Sequence, residues 1–168
     1  MLSTLVLIAT GGLVSLLLPC VTPFGALAAC AVLRGRTRWA VMVVAATWAL
    51  NEAAGFTLFG YPRTSESYSW AALQLLAAVL ATVIAAAVVH ALRERPQPLR
   101  SVAALVAGTV SFEIALYVAA GAAHLSQASF SFDIDLLVVA TNVFFFVAFE
   151  AATLLGRFIA TQRPRSER

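Results

Sequence analysis

Hydrophobic positions run almost unbroken through five stretches of this chain, 2–33, 39–60, 70–92, 102–123 and 136–159, and the polar residues collect between them. Each stretch reaches the length of about 20 apolar residues that carries a helix across the hydrocarbon core of a bilayer. The runs are continuously apolar rather than alternating. That predicts helices and excludes a transmembrane barrel, whose strands alternate in polarity. The expected fold is all-α, a polytopic transmembrane bundle of five long hydrophobic segments. The first stretch would be about 48 Å long as one helix, and it is interrupted by Gly11-Gly12 and by Pro19-Cys20-Val21-Thr22-Pro23. Proline removes a backbone donor and kinks a helix. This stretch is therefore one bent helix or a broken hairpin, and the hairpin would raise the number of spans to six.

The connections sort by charge. Arg34-Gly35-Arg36-Thr37-Arg38 and the segment 93–100 are basic, residues 61–69 set Arg63 against Glu66, and residues 124–135 end on Asp133 and Asp135. Basic connections face the cytoplasm, which predicts a multi-pass protein of a bacterial cytoplasmic (inner) membrane with a cytoplasmic C-terminus. Residues 1–160 are expected to form a single membrane domain and 161–168 a basic cytoplasmic tail. The run Leu27-Ala28-Ala29-Cys30 matches the loose form of a lipoprotein cleavage box. It follows no basic leader, and the apolar run is too long and proline-broken for a signal peptide. It is read as part of the membrane domain.

Composition agrees with this assignment. Of 168 residues 61% are hydrophobic and 11% charged, against about 25% charged in soluble domains. Helices and loops use nearly the whole length, leaving no room for a nucleotide-binding motor. The sequence pI is about 9.4, but every basic residue is an arginine at a membrane edge, so nucleic acid is not an expected partner. Cys20 and Cys30 would stand about 15 Å apart along a helix, too far for a disulfide, and read as small buried hydrophobes. Segments 39–159 carry no convincing internal repeat, and Ala81, Ala85, Ala86 and Gly108 are small-residue positions suited to close helix packing. They serve bundle packing or the docking of a membrane partner subunit.

The candidate chemistry lies in the polar residues left inside lipid, which are costly there and face a cavity or the bundle interior. They are Asn51, Glu52, Glu113, Asn142 and Glu150. Trp48, Asn51, Glu52 and Gly55 share one helical stripe. Glu113, Tyr117, Ala120 and His124 share another, and Asn142, Phe146 and Phe149 a third, with Glu150 beside it. Aromatic residues crowd the same outer half, including Phe56, Phe59, Tyr61, Tyr68, Trp70, Phe130 and Phe132. Carboxylates with aromatic walls suit a cationic or flat, partly apolar ligand. The expected site is an outward pocket between segments two, four and five. Asn51, Glu52, Glu113 and Asn142 would bind, Trp48, Tyr117 and Phe146 would form walls, and Glu113 or Glu150 would carry the proton if transport is proton-coupled. His124, Asp133 and Asp135 read as a solvated loop, so no metal site is assigned, and the residues name no cofactor. No His-Glu-x-x-His, Cys-x-x-Cys, Walker or Gly-x-Ser-x-Gly signature occurs.

The run from Trp48 to Phe56, with Tyr61-Pro62 and Trp70, is similar in style to small bacterial membrane proteins. The size, the cytoplasmic C-terminus and the outward pocket resemble the substrate-binding S-components of energy-coupling factor vitamin transporters. That resemblance is architectural and implies a six-helix protein, without an ATPase of its own, that captures a vitamin-like solute. The leading expectation is thus a small-molecule-binding membrane protein that acts by binding and conformational access rather than bond chemistry. The alternatives are a membrane-embedded metal-dependent enzyme built on Glu52, Glu113 and Glu150, and a non-catalytic subunit of a larger membrane complex.

Overall fold

The computed structural model describes residues 23–125 and 130–162, with side chains through Thr153. Residues 1–22, which hold most of the first hydrophobic stretch with Cys20, and the basic tail beyond 162 lie outside that description. The choice between five and six spans falls there too. Five helices occupy the described residues: α1 (Phe24–Arg34), α2 (Thr37–Thr57), α3 (Ser65–Ala91), α4 (Gln97–Ala122) and α5 (Phe132–Gln162). No strand occurs among them. The all-α expectation holds. Helices α2, α3, α4 and the part of α5 from Phe132 to Thr153 are each long and apolar enough to cross a membrane. The chain is a multi-pass integral membrane protein.

Local chemistry sets several helix ends beyond the apolar runs. The Thr64 side chain accepts a hydrogen bond from the Ser67 N–H at 3.2 Å, an N-cap that starts α3 before its first strongly apolar residues. Pro98 sits in the first turn of α4, where its missing N–H costs no helical hydrogen bond. Helix α2 closes with the Leu58 N–H donating to Ala54 O. The chain then turns at Gly60, whose φ of +66° would strain a side-chain-bearing residue.

The short helix α1 is the hub. It packs against each of the four other helices, and its residues from Phe24 to Val32 are all buried. Its composition makes that position available. Gly25, Ala26, Ala28, Ala29, Cys30 and Ala31 leave a thin helix that neighbours can approach closely. The tightest crossing is with α4, where Gly108 lies under the Gly25 carbonyl: a Cβ on Gly108 would stand 2.8 Å from Gly25 O. Ala77, Ala78, Ala81 and Ala85 of α3 are likewise buried. The small residues are therefore engaged in the chain's own packing.

The outer faces invert the soluble pattern. Leu76, Val106, Ile114, Val118 and Phe144 are exposed, while Thr47, Thr82 and Asn142 are buried. Lipid removes the penalty for exposing large aliphatic groups, and helix association then depends on van der Waals contact and internal hydrogen bonds.

Successive helices run in opposite directions. Arg34, Arg36 and Arg38 therefore gather with Arg93, Arg95 and Arg100 at one end of the bundle, the basic end. The α2–α3 connection and the start of α5, with Glu66, Asp133 and Asp135, lie at the other, acidic end.

Candidate functional site

A cleft of about 340 Å³ opens into the acidic half of the bundle. Each described helix contributes to it. The C-terminal half of α2 supplies Asn51, Glu52 and Phe56, and the following loop supplies Tyr61 and Pro62. The first turns of α3 supply Ser67, Trp70, Ala71 and Gln74. From α4 come Phe112, Glu113 and Leu116; Phe130, then Ile134, Asp135 and Val138 of α5, complete the wall. Phe24, the first residue of α1, also lines the cleft, and its ring meets Phe112 with centroids 5.5 Å apart.

The electrostatics are one-sided. Glu52, Glu113 and Asp135 line the cleft, and none of the described lining side chains is basic. Asn51 Nδ2 donates to Glu52 Oε1 at 3.3 Å, which orients that carboxylate from its own helix. Glu113 of α4 and Asp135 of α5 both line the cleft, so acidic groups of the two helices share it. The remaining wall combines aromatic rings with aliphatic and small polar residues. Trp70 and Phe130 pack at 6.2 Å, and Phe56 stands edge-on to Tyr61 at 6.0 Å and stacks on Tyr68 at 5.1 Å.

The α2–α3 loop folds back over α2 because position 55 is glycine. The Tyr61 N–H donates to Gly55 O at 3.0 Å, and the Tyr61 ring lies where a Gly55 side chain would begin, with Cζ 3.1 Å from an added Cβ. Gly55→Ala should push the Tyr61 ring out of the cleft wall at a stability cost of about 1 kcal/mol. The check is a thermal melt in detergent beside the solvent accessibility of the Tyr61 ring. Tyr61 should become more accessible in the variant.

The expected site residues divide into two groups. Asn51, Glu52 and Glu113 come together on the cleft. Asn142 does not line it. Its Oδ1 accepts from the Ala26 N–H at 2.7 Å and its Nδ2 donates to Val138 O at 2.9 Å. The residue thus serves as a distant N-cap for α1, satisfying a donor that a buried helix terminus would otherwise leave orphaned. Trp48 stands behind the wall, donating from Nε1 to Ala71 O at 2.9 Å. Phe146 is buried in the core, and Tyr117 is half exposed, its ring edge-on to Phe130 at 5.2 Å.

Glu150 lies in the other half of the bundle. Its Oε1 accepts from Arg34 Nη2 at 2.9 Å, and the same guanidinium donates to Thr153 Oγ1 at 2.7 Å and Cys30 O at 3.0 Å. The three intramembrane glutamates therefore do not converge. Among the described residues no group of three or more His, Cys, Asp or Glu is arranged to hold a metal ion.

Sequence reasoning placed the pocket between segments two, four and five and left out segment three. The signal was present: Ser67, Trp70, Ala71 and Gln74 follow the i, i+3, i+4, i+7 spacing of one helical face. Starting the third segment at residue 70 hid it, and the Thr64 N-cap was the cue that would have moved the start back. Asp135, expected in a solvated loop, lies in the first turn of α5, which begins at Phe132; it is exposed and also lines the cleft. Comparison with known proteins finds no family model, curated relative or solved structure that matches the chain.

Proposed function

We propose that this chain is a membrane-embedded binding protein that takes a small solute from the extracytoplasmic side into the cleft, as a transporter or the substrate-capture subunit of one. The observation that carries this reading is a cavity of about 340 Å³ walled by helices that also bear intramembrane carboxylates. Ionisable groups inside lipid mark solute pathways and binding sites, and ligand cavities begin near this size, at about 300 Å³. With the basic end in the cytoplasm, as the positive-inside bias requires, the cleft opens outward. The membrane would then be a bacterial inner membrane, and the C-terminus cytoplasmic. The outward cleft supports reading the chain as a capture subunit of the S-component kind. In that case a partner subunit would supply the energy, and the solute would be vitamin-like or cationic. The metal-enzyme alternative loses support from Glu150, which is paired with Arg34 in the opposite half.

The test is native mass spectrometry of protein extracted in mild detergent. Wild type is expected to carry a small molecule at unit stoichiometry. Glu52→Ala and Glu113→Ala should each lose it while inserting and running as the same species on size exclusion. Equal retention in both variants removes this cleft as the site. A stable protein partner without any small molecule would favour a non-catalytic subunit instead.

A further inference from the structure

We infer that the solute is a flat organic cation of about one or two fused rings, its positive centre held among Glu52, Glu113 and Asp135 and its ring plane against Trp70 and Phe130. This identifies the substrate class of the proposed capture site and rests on that proposal.

Charge sets the sign. The cleft presents carboxylates from three different helices, and the described lining holds no compensating base. Carboxylates in an apolar wall lose hydration, and that loss is offset when a cation enters beside them. The attraction is stronger at the reduced dielectric of the bundle than in water. The same field repels an anion.

Shape and surface set the class. Small inorganic cations need several oxygen ligands drawn within short bonding distance of one centre, and among the described residues no three His, Cys, Asp or Glu side chains are so grouped. The aromatic rings favour a delocalised or alkylated cation, because ring faces attract such charges without having to replace a tightly held water shell. The volume, about 340 Å³, lies near the lower bound for ligand pockets, which suits a small heteroaromatic and leaves little room for a nucleotide-sized molecule. Gln74 and Ser67, also on the wall, provide neutral hydrogen-bonding groups to fix the ring's orientation.

The experiment titrates purified wild-type protein in mild detergent at neutral pH with matched probes, followed by calorimetry. N-methylquinolinium, N-methylpyridinium and benzyltrimethylammonium carry the charge. Quinoline has the same rings as the first without it, quinoline-2-carboxylate carries the opposite sign, and Mg²⁺ is the inorganic control. N-methylquinolinium or N-methylpyridinium is expected to bind about tenfold or more tightly than quinoline, ahead of benzyltrimethylammonium, whose charged centre is not planar, and with no competition from Mg²⁺. Glu52→Gln and Glu113→Gln should each erase that preference.

Because the charged and uncharged probes are compared on wild type, the result does not depend on how the variants fold. Binding of quinoline or its carboxylate as tightly as the flat cations overturns the inference, as does competition by Mg²⁺ or failure of both N-methylquinolinium and N-methylpyridinium. Native mass spectrometry of the same preparation separates the two levels. A neutral or anionic molecule retained by wild type and lost in Glu52→Ala overturns the cation and leaves the capture function standing. Protein that retains no molecule and binds no probe overturns both.

Discussion

Gly25→Ala is expected to destabilise the whole bundle by about 3 kcal/mol, the upper part of the range for overpacking a close-packed interior, and Gly25→Val to prevent its assembly. A Cβ at position 25 would stand 2.6 Å from Thr109 Cα and 2.7 Å from Thr109 N. These are backbone atoms of a facing helix, so no side chain can rotate aside. Relief requires α1 to move away from α4. Since α1 also packs on α2, α3 and α5, that movement loosens every interface at once. It also strains the 2.7 Å hydrogen bond from Ala26 to Asn142. Gly35→Ala is the matched control, because a Cβ there meets Ala31 O at 3.7 Å and Trp39 Cβ at 3.9 Å, ordinary contacts. Thermal unfolding in detergent, followed by size exclusion, should separate the two variants clearly. Equal stability would mean that α1 and α4 do not cross at this pair of glycines.

The second large effect is expected at the opposite end. Arg34→Ala should cost on the order of 3 kcal/mol, the low end for breaking a buried ion pair, because Glu150 keeps 31% of its side-chain surface accessible. The guanidinium holds acceptors on both α1 and α5: Cys30 O, Glu150 Oε1 and Thr153 Oγ1. Its loss leaves a carboxylate without its cation in an apolar setting. Arg34→Lys should recover only part of the stability, since a single ammonium cannot reproduce the planar fork that reaches several acceptors. The double variant Arg34→Ala/Glu150→Ala should cost less than the sum of its singles, by about 0.5–3 kcal/mol. Additive losses in that cycle would show that the pair contributes nothing. Glu150, a candidate proton carrier by its position, joins α5 to α1 through Arg34, and the cycle measures how much that tie contributes.

Both effects turn on the short helix α1, and that is where sequence and structure part. The membrane class, the four long spans and the concentration of acidic and aromatic residues in one half were all legible, because each follows from the length and polarity of local segments. The stripe carrying Asn51 and Glu52 was legible too, since helical periodicity determines which residues share a face. The role of Asn142 was not. An asparagine inside an apolar helix reads equally as a ligand or as a hydrogen-bonding partner, and only the position of Ala26, 116 residues away, decides between them. Trp48 and Phe146 are similar cases: periodicity put them on the inner face, while their depth behind the cleft wall depends on how far the helices separate.

Thus the sequence by itself determined that the chain lies in a bilayer as helices, and which residues carry charge into the oil, because hydropathy and periodicity are properties of a single segment. Only the tertiary structure decided that Glu52, Glu113 and Asp135 share a cleft while Glu150 pairs with Arg34, and that a short helix of small residues forms the centre. Those outcomes depend on crossing geometry between helices, set by contacts such as Gly25 against Gly108, which no single segment encodes.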